Sequence, residues 1–251
     1  MCTVSWLHQG GGYELLCNRD ERHTRRLARP PRVRRRRGVR FITPADGDAG
    51  GSWVGVNEFG LTLCLLNRYD VPAGSARPYT SRGRLVLGLI DCRSEVEVSR
   101  RVARMALARF RPFTLLALAA GRPSLVLRWA GRPPVAEGVG EAQVPLTSSS
   151  FDTEGVVESR RRHFRQMAAG AGPVTGELLY NFHRSHAPAR GAYSTCMHRE
   201  DAATVSFTWI RVTAGAVECR YQPQAPCSGT LGDPIALPRV QTAFPGGGSI
   251  G

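Results

Sequence analysis

Residues Cys2–Leu7 and Tyr13–Cys17 are short runs of β-favouring residues separated by Gly10-Gly11-Gly12. Two such runs across a glycine turn fold as an antiparallel hairpin, so the chain opens in a sheet. The hairpin returns Asn18, Arg19 and Asp20 towards the end that holds Cys2. Neighbours on an extended strand point to opposite faces, so Arg19 and Asp20 both face Cys2 only if the strand bends or ends there. Loss of the initiator methionine, usual before a small residue, would leave Cys2 with a thiol and a free α-amine. Their ordinary pKa values are about 8.5 and about 7.7–8.0, which sets a nucleophile and a base on one residue. The plain alternative is an exposed cysteine at a frayed terminus.

The hairpin pattern recurs along the chain. A short strand is expected at Val39–Thr43, and Ser52–Val56 pairs with Leu61–Leu66 through Asn57-Glu58-Phe59-Gly60. The second arm hardly alternates, as a strand buried on both faces would not, and it presents Asn67 at its tip. Phe113–Ala119 and Ser124–Trp129 pair across Gly121-Arg122-Pro123, Gln143–Thr147 reads as one more strand, and Thr204–Val212 pairs with Ala216–Tyr221. Helices are expected at Arg82–Ile90, from the capping pattern Ser94-Glu95-Val96-Glu97 to about Arg109, and at Glu154–Ala169 and Thr175–His186. Antiparallel pairs with helices grouped between them indicate an α+β layered fold. No linker interrupts residues 1–222, which read as one domain, and the Pro/Gly-rich residues 223–251 read as a loose tail.

The net charge is +14 over 251 residues, and all 34 basic residues are arginine. Such a charge attracts anionic ligands and binds polyanions non-specifically at low salt. The densest basic run, Arg22–Arg40, contains Pro30-Pro31 and no aromatic residue, so a solvated loop is expected rather than a nucleic-acid contact. No apolar run reaches the ~18–20 residues of a membrane span, and residues 2–7 are too short for a signal peptide's apolar region; a cytoplasmic protein is expected. The seven cysteines are scattered without a Cys-x-x-Cys pair, which matches neither a disulfide framework nor a zinc site. Most are expected in the core, with no metal or other cofactor.

Four elements occur in order: Met1-Cys2-Thr3, the tetrad Asn18-Arg19-Asp20-Glu21, Gly50-Gly51-Ser52-Trp53-Val54-Gly55, and a strand ending in Asn67. Together they resemble the NRDE family, named for its Asn-Arg-Asp-Glu signature, to which the transport and Golgi organisation 2 proteins belong. The resemblance is strong over residues 1–90 and returns weakly at Tyr193–Arg211. The same positions, with Asn57-Glu58-Phe59-Gly60-Leu61 and Leu66-Asn67, are similar to the N-terminal-nucleophile (Ntn) hydrolases that act on bile salts and penicillin V. That resemblance implies a four-layer αββα sandwich of two antiparallel sheets. It implies Cys2 as nucleophile with its own α-amine as base, Arg19 and Asp20 holding the amine and favouring the thiolate, and Asn67 as an oxyanion donor. The reaction implied is hydrolysis of a non-peptide amide (N-acyl) bond in a small-molecule substrate; that the substrate can be anionic is an expectation from the basic charge alone. The acylases separate the arginine and aspartate by two residues, whereas Arg19 and Asp20 are adjacent; Glu21 for the aspartate, or Asn18 for the arginine, stays open. Where the acylases carry a later asparagine this chain has Thr147, Ser148 and Ser149, and Arg199 stands near their late arginine.

Other readings compete. A non-catalytic protein of the same fold would bind a lipid, acyl or haem ligand, with the Cys2 thiolate on the haem iron. His183, His186 and His198 with Asp201 form a candidate metal set, since His183 and His186 share a helical face. The arginine run is the candidate for nucleic acid.

Overall fold

The computed structural model describes residues 2–72, 78–132, 134–139 and 143–241, which form thirteen strands and four α-helices. The opening hairpin is β1 (Cys2–Gln9) and β2 (Gly12–Arg22). Gln9 pairs with Gly12, leaving Gly10 and Gly11 as a two-residue turn with φ of 56° and 73°. Two positive φ angles in succession match the right-handed twist of the strands, and glycine adopts them without steric cost. The turn fixes the register, and the register sets Cys2 opposite Arg19.

The chain continues through β3 (Arg29–Arg36), β4 (Val39–Ala45), β5 (Val54–Asn57), β6 (Leu61–Asn67), α1 (Gly83–Leu89), α2 (Glu95–Ala103), β7 (Phe113–Ala119), β8 (Ser124–Trp129) and β9 (Val135–Val139). Then come β10 (Leu146–Ser148), α3 (Thr153–Ala171), α4 (Gly176–Arg184), β11 (Ala202–Val212), β12 (Ala216–Gln222) and β13 (Ile235–Pro238). The strands make two antiparallel sheets, ordered β10-β1-β2-β11-β12-β13 and β3-β4-β5-β6-β7-β8-β9. The sheets stack on one another, with α3 and α4 on the outer face of the first and α1 and α2 on the outer face of the second. This is the αββα sandwich expected.

The strand β6 is apolar on both faces because both are covered. Leu61, Leu63 and Leu65 pack with Leu85, Val86 and Leu89 of α1 and Val98 and Val102 of α2. Cys64 and Leu66 pack inwards with Val4, Trp6 and Cys17 of the other sheet. Full burial of one such leucine contributes about 1.5–3 kcal/mol. Asn57 secures the turn before β6: Nδ2 donates to Ile90 O and Cys92 O at 2.8 and 2.6 Å, and Oδ1 accepts from Phe59 N and Leu61 N at 3.0 and 3.1 Å. Every polar group of that amide is committed to structure.

Four local expectations change. The arginine run is no loop throughout: β3 pairs with β4 at the sheet edge, and a register shift between Arg29 and Arg32 takes up Pro30 and Pro31. An edge strand tolerates proline and is protected from pairing with other chains by its charges. The helix from Glu95 stops at Ala103, since Ala106 leaves helical geometry (ψ 74°) and a short 3₁₀ turn follows at Leu107–Arg109. The strand expected at Gln143–Thr147 is Leu146–Ser148, beginning only after Pro145, which has no N–H to donate. Within the stretch expected as tail, β13 adds to the sheet edge along β12; residues 242–251 lie outside the described residues.

Candidate functional site

Strand alternation divides the Asn18–Glu21 tetrad between two faces. Asn18 Nδ2 donates to His183 O and Thr195 O, both at 2.9 Å, on the helix-covered face. Asp20 shares that face, where Oδ2 lies 3.3 Å from Arg160 Nη1 and Oδ1 accepts from Thr204 Oγ1 at 2.7 Å. Arg19 and Glu21 point the other way, into a cleft of about 530 Å³ whose walls also include Cys2 and Asn67. β2 runs on as a strand to Arg22 and so does not end at the tetrad, while its partner β11 carries a register shift between Thr204 and Ser206, opposite Asp20 and Arg19. The structure therefore brings Cys2, Arg19 and Asn67 together, and Asp20 does not line the cleft; Glu21 does.

The Arg19 guanidinium lies 4.6 Å from the Trp53 ring centroid, 2.6 Å from Asp46 Oδ2 and 3.3 Å from Glu21 Oε2. Arg25 reaches Asp46 Oδ1 at 2.7 Å. Burial alone would raise the Asp46 carboxyl, but the Ala49 N–H and the guanidiniums of Arg19 and Arg25 outweigh it and hold the pKa below the usual carboxylate value. These carboxylates engage Arg19, and the expected lowering of the Cys2 pKa does not follow. Hydrogen bonding with the Cys17 thiol, then burial, pushes the Cys2 thiol well above its ordinary value. Cys17 Sγ in turn lies 3.8 Å from Cys64 Sγ. In the 251-residue chain the nitrogen of Cys2 is an amide, and it donates to Ser148 Oγ at 3.0 Å.

Asn67, at the end of β6, donates through Nδ2 to Tyr69 OH at 2.8 Å. A further part of the cleft lining comes from the start of α1. Gly51 and Gly83 allow it to approach: a Cβ on Gly51 would lie 2.8 Å from Gly83 Cα, and Ser52 N donates to Gly83 O at 3.1 Å. That close contact sets Arg82 on the cleft, where Nη1 donates to Pro112 O at 2.8 Å. Arg111 stacks over Tyr79, 5.3 Å from its centroid. Neither Arg82 nor Arg111 forms an ion pair among the described residues, so both are available to an anionic group. Sequence reading singled out neither as a ligand residue, because each stands alone between apolar or polar neighbours without a recognisable spacing.

Of the trial metal set, His186 and His198 come together, their ring centroids 5.1 Å apart, and His183 and Asp201 do not join them. His183 is buried with Nε2 2.8 Å from Ser5 Oγ, and Asp201 pairs with Arg199 at 2.7 Å. Arg199 also stacks on Phe151, 4.8 Å from its centroid, and does not line the cleft. The arginine buried behind the tetrad is Arg160, from α3, which the sequence reading missed among the solvated charges of that helix.

The match with known proteins fits this geometry. Residues 1–172 match the family model described as transport and Golgi organisation 2. The chain belongs to that family. In a direct search no curated protein sequence matches it. Among solved structures, this transport and Golgi organisation 2 family chain is similar to a mutant of conjugated bile acid hydrolase from Clostridium perfringens (13% identity, 94% of this chain and 92% of that one, TM-score 0.57). It is also similar to the Caenorhabditis elegans orthologue of N-acylethanolamine-hydrolyzing acid amidase (14% identity, 84% and 92%, TM-score 0.56). Penicillin V acylase from Agrobacterium tumefaciens is a third (12% identity, 87% and 82%, TM-score 0.53). At these identities the likeness establishes a shared fold, the N-terminal-nucleophile hydrolase sandwich. No described helix is long and apolar enough to cross a membrane.

Proposed function

We propose that this family member is an N-terminal cysteine amidohydrolase acting on a small N-acyl amide that carries an anionic group. The observation that carries the reading is the cleft that Cys2 and Asn67 line together with Arg82 and Arg111. With Met1 removed, the Cys2 α-amine takes the thiol proton and the sulfur attacks the amide carbonyl carbon. The oxyanion so formed accepts a hydrogen bond from Asn67 Nδ2, an interaction worth about 2.7–4 kcal/mol in comparable sites. The α-ammonium returns its proton to the leaving amine, and water hydrolyses the thioester with the amine again as base. In the chain that keeps Met1 the Cys2 nitrogen is an amide, which cannot act as base, so the mechanism requires removal of Met1. A further support is that the bile acid hydrolase of similar fold was crystallised with the cysteine at its own second position replaced by alanine.

Intact mass and turnover test the reading together. The protein lacking Met1 is expected to form acyl adducts on Cys2 and to release amine from anionic N-acyl substrates, while Cys2→Ser does neither. Retention of Met1 in a protein that still turns over such substrates would sink the mechanism.

The arginines of the cleft also support a second reading, stoichiometric binding of an anionic lipid, acyl or haem ligand without turnover. Haem bound through Cys2 predicts a Soret band lost in Cys2→Ala, with no acyl adduct in the wild type.

A further inference from the structure

His186 follows α4, Cys196 and His198 precede β11, and Cys227 follows β12. One ligand atom from each of the four lies within 4.8 Å of the other three. Cys196 Sγ is 3.5 Å and Cys227 Sγ 3.3 Å from His198 Nε2, and the rings of His186 and His198 stand 5.1 Å apart. A tetrahedral zinc, with Zn–S of about 2.3 Å and Zn–N of about 2.0–2.1 Å, sets adjacent ligand atoms about 3.3–3.8 Å apart. Nε2 of His186 is enclosed with no hydrogen-bond partner among the described residues, a cost that a metal bond would remove.

We propose that His186, Cys196, His198 and Cys227 form a structural zinc site, distinct from the Cys2 cleft. Two thiols and two imidazoles are the donor set of a closed tetrahedral centre, with no position left for substrate. Zinc binding would release the two thiol protons to solvent, so affinity rises with pH. Arg190 Nη2 lies 3.4 Å from His198 Nδ1, but the side chain is exposed and can turn to solvent, leaving that nitrogen its proton. The metal would fasten the segment between α4 and β11 to the one after β12. The same segment offers Thr195 O to Asn18 and Met197 N to Thr204 Oγ1, so the site braces the outer face of the tetrad. The ligand spacing, nine residues, then one, then twenty-eight, follows no finger-like pattern; this is why the cysteine count pointed away from zinc.

Cobalt(II) reports the geometry directly. The full chain, stripped with a chelator under reducing conditions, is titrated with cobalt alone and then with zinc alone. The expected result is one equivalent of cobalt with intense tetrahedral visible bands and a thiolate charge-transfer band, displaced by one equivalent of zinc, which raises Tm. Cys2→Ser is expected to keep these spectra, while Cys227→Ser weakens the charge-transfer band and His186→Ala lowers metal affinity at least ten-fold. If the variants fail to fold, the wild-type spectrum and the Cys2→Ser control still decide. A weak octahedral spectrum, a spectrum lost in Cys2→Ser, or a Cys196–Cys227 disulfide in the protein as isolated would each overturn the proposal.

Discussion

The Cys2 nitrogen donates to Ser148 Oγ at 3.0 Å, joining the first residue of β1 to the last of β10. Once Met1 is removed, that nitrogen is the amine proposed as base, and an oxygen acceptor beside it favours the ammonium form. Ser148→Ala is expected to lower the amine pKa and kcat about ten-fold, the worth of one hydrogen bond to a charged group. The acid limb of the pH–rate profile should move to lower pH, with KM little changed. An unmoved limb would remove Ser148 from the mechanism.

Asn67 is half-buried at the end of its strand and donates to Tyr69 OH, so its amide is held by one side chain at the cleft edge. Removing an oxyanion donor costs about 10²–10³ in kcat, and Asn67→Ala is expected to show that loss with Tm unchanged. Tyr69→Phe, which frees the amide, should alter kcat by less than ten-fold. Equal losses in kcat and in substrate affinity for Asn67→Ala would instead mark Asn67 as a binding residue.

Local pattern predicted the fold well and the site in part. The glycine turn and the unbroken apolar run of Leu61–Leu66 were readable because turn chemistry and double burial act through adjacent residues. The face of each tetrad residue was not readable, because it depends on how far β2 extends, and that is set by pairing with β11, almost two hundred residues later. Arg160 and the His186–Cys227 cluster were hidden for the same reason. Each is assembled by tertiary contacts between segments whose own spacing carries no signal. The edge strand β3 was masked by its charges and prolines, which are what an edge strand carries.

Asp20 and Arg160 form an ion pair whose side chains are 0% and 1% exposed. Arg160 Nη1 also donates to Thr3 Oγ1 at 2.5 Å, so the pair ties α3 to both β1 and β2. Removing one partner of a buried pair strands the other charge, at about 3–5 kcal/mol. Asp20→Asn is expected to lower unfolding free energy by that amount in urea titration. The double variant Asp20→Asn/Arg160→Met should recover part of the loss, because no charge is then left buried. A single-variant loss below about 1 kcal/mol would show that solvent reaches the pair.

His183 gives the fold an acid sensitivity of its own. It is fully buried beside Ser5, and burial, reinforced by the nearby Arg160 charge, pushes its pKa down to about 3. In the unfolded chain the same imidazole takes a proton near its ordinary value of about 6.5. Between those two values the unfolded state binds the extra proton, so stability falls as pH falls through the window and is fully restored above it. The slope from this residue approaches about 1.4 kcal/mol per pH unit. In His183→Gln, which keeps a polar partner for Ser5, the dependence of unfolding free energy on pH between about 6.5 and 3 should flatten by that amount. The comparison uses slopes, so a lower starting stability in the variant does not disturb it. Parallel slopes in the two proteins would mean that His183 is already protonated in the folded state.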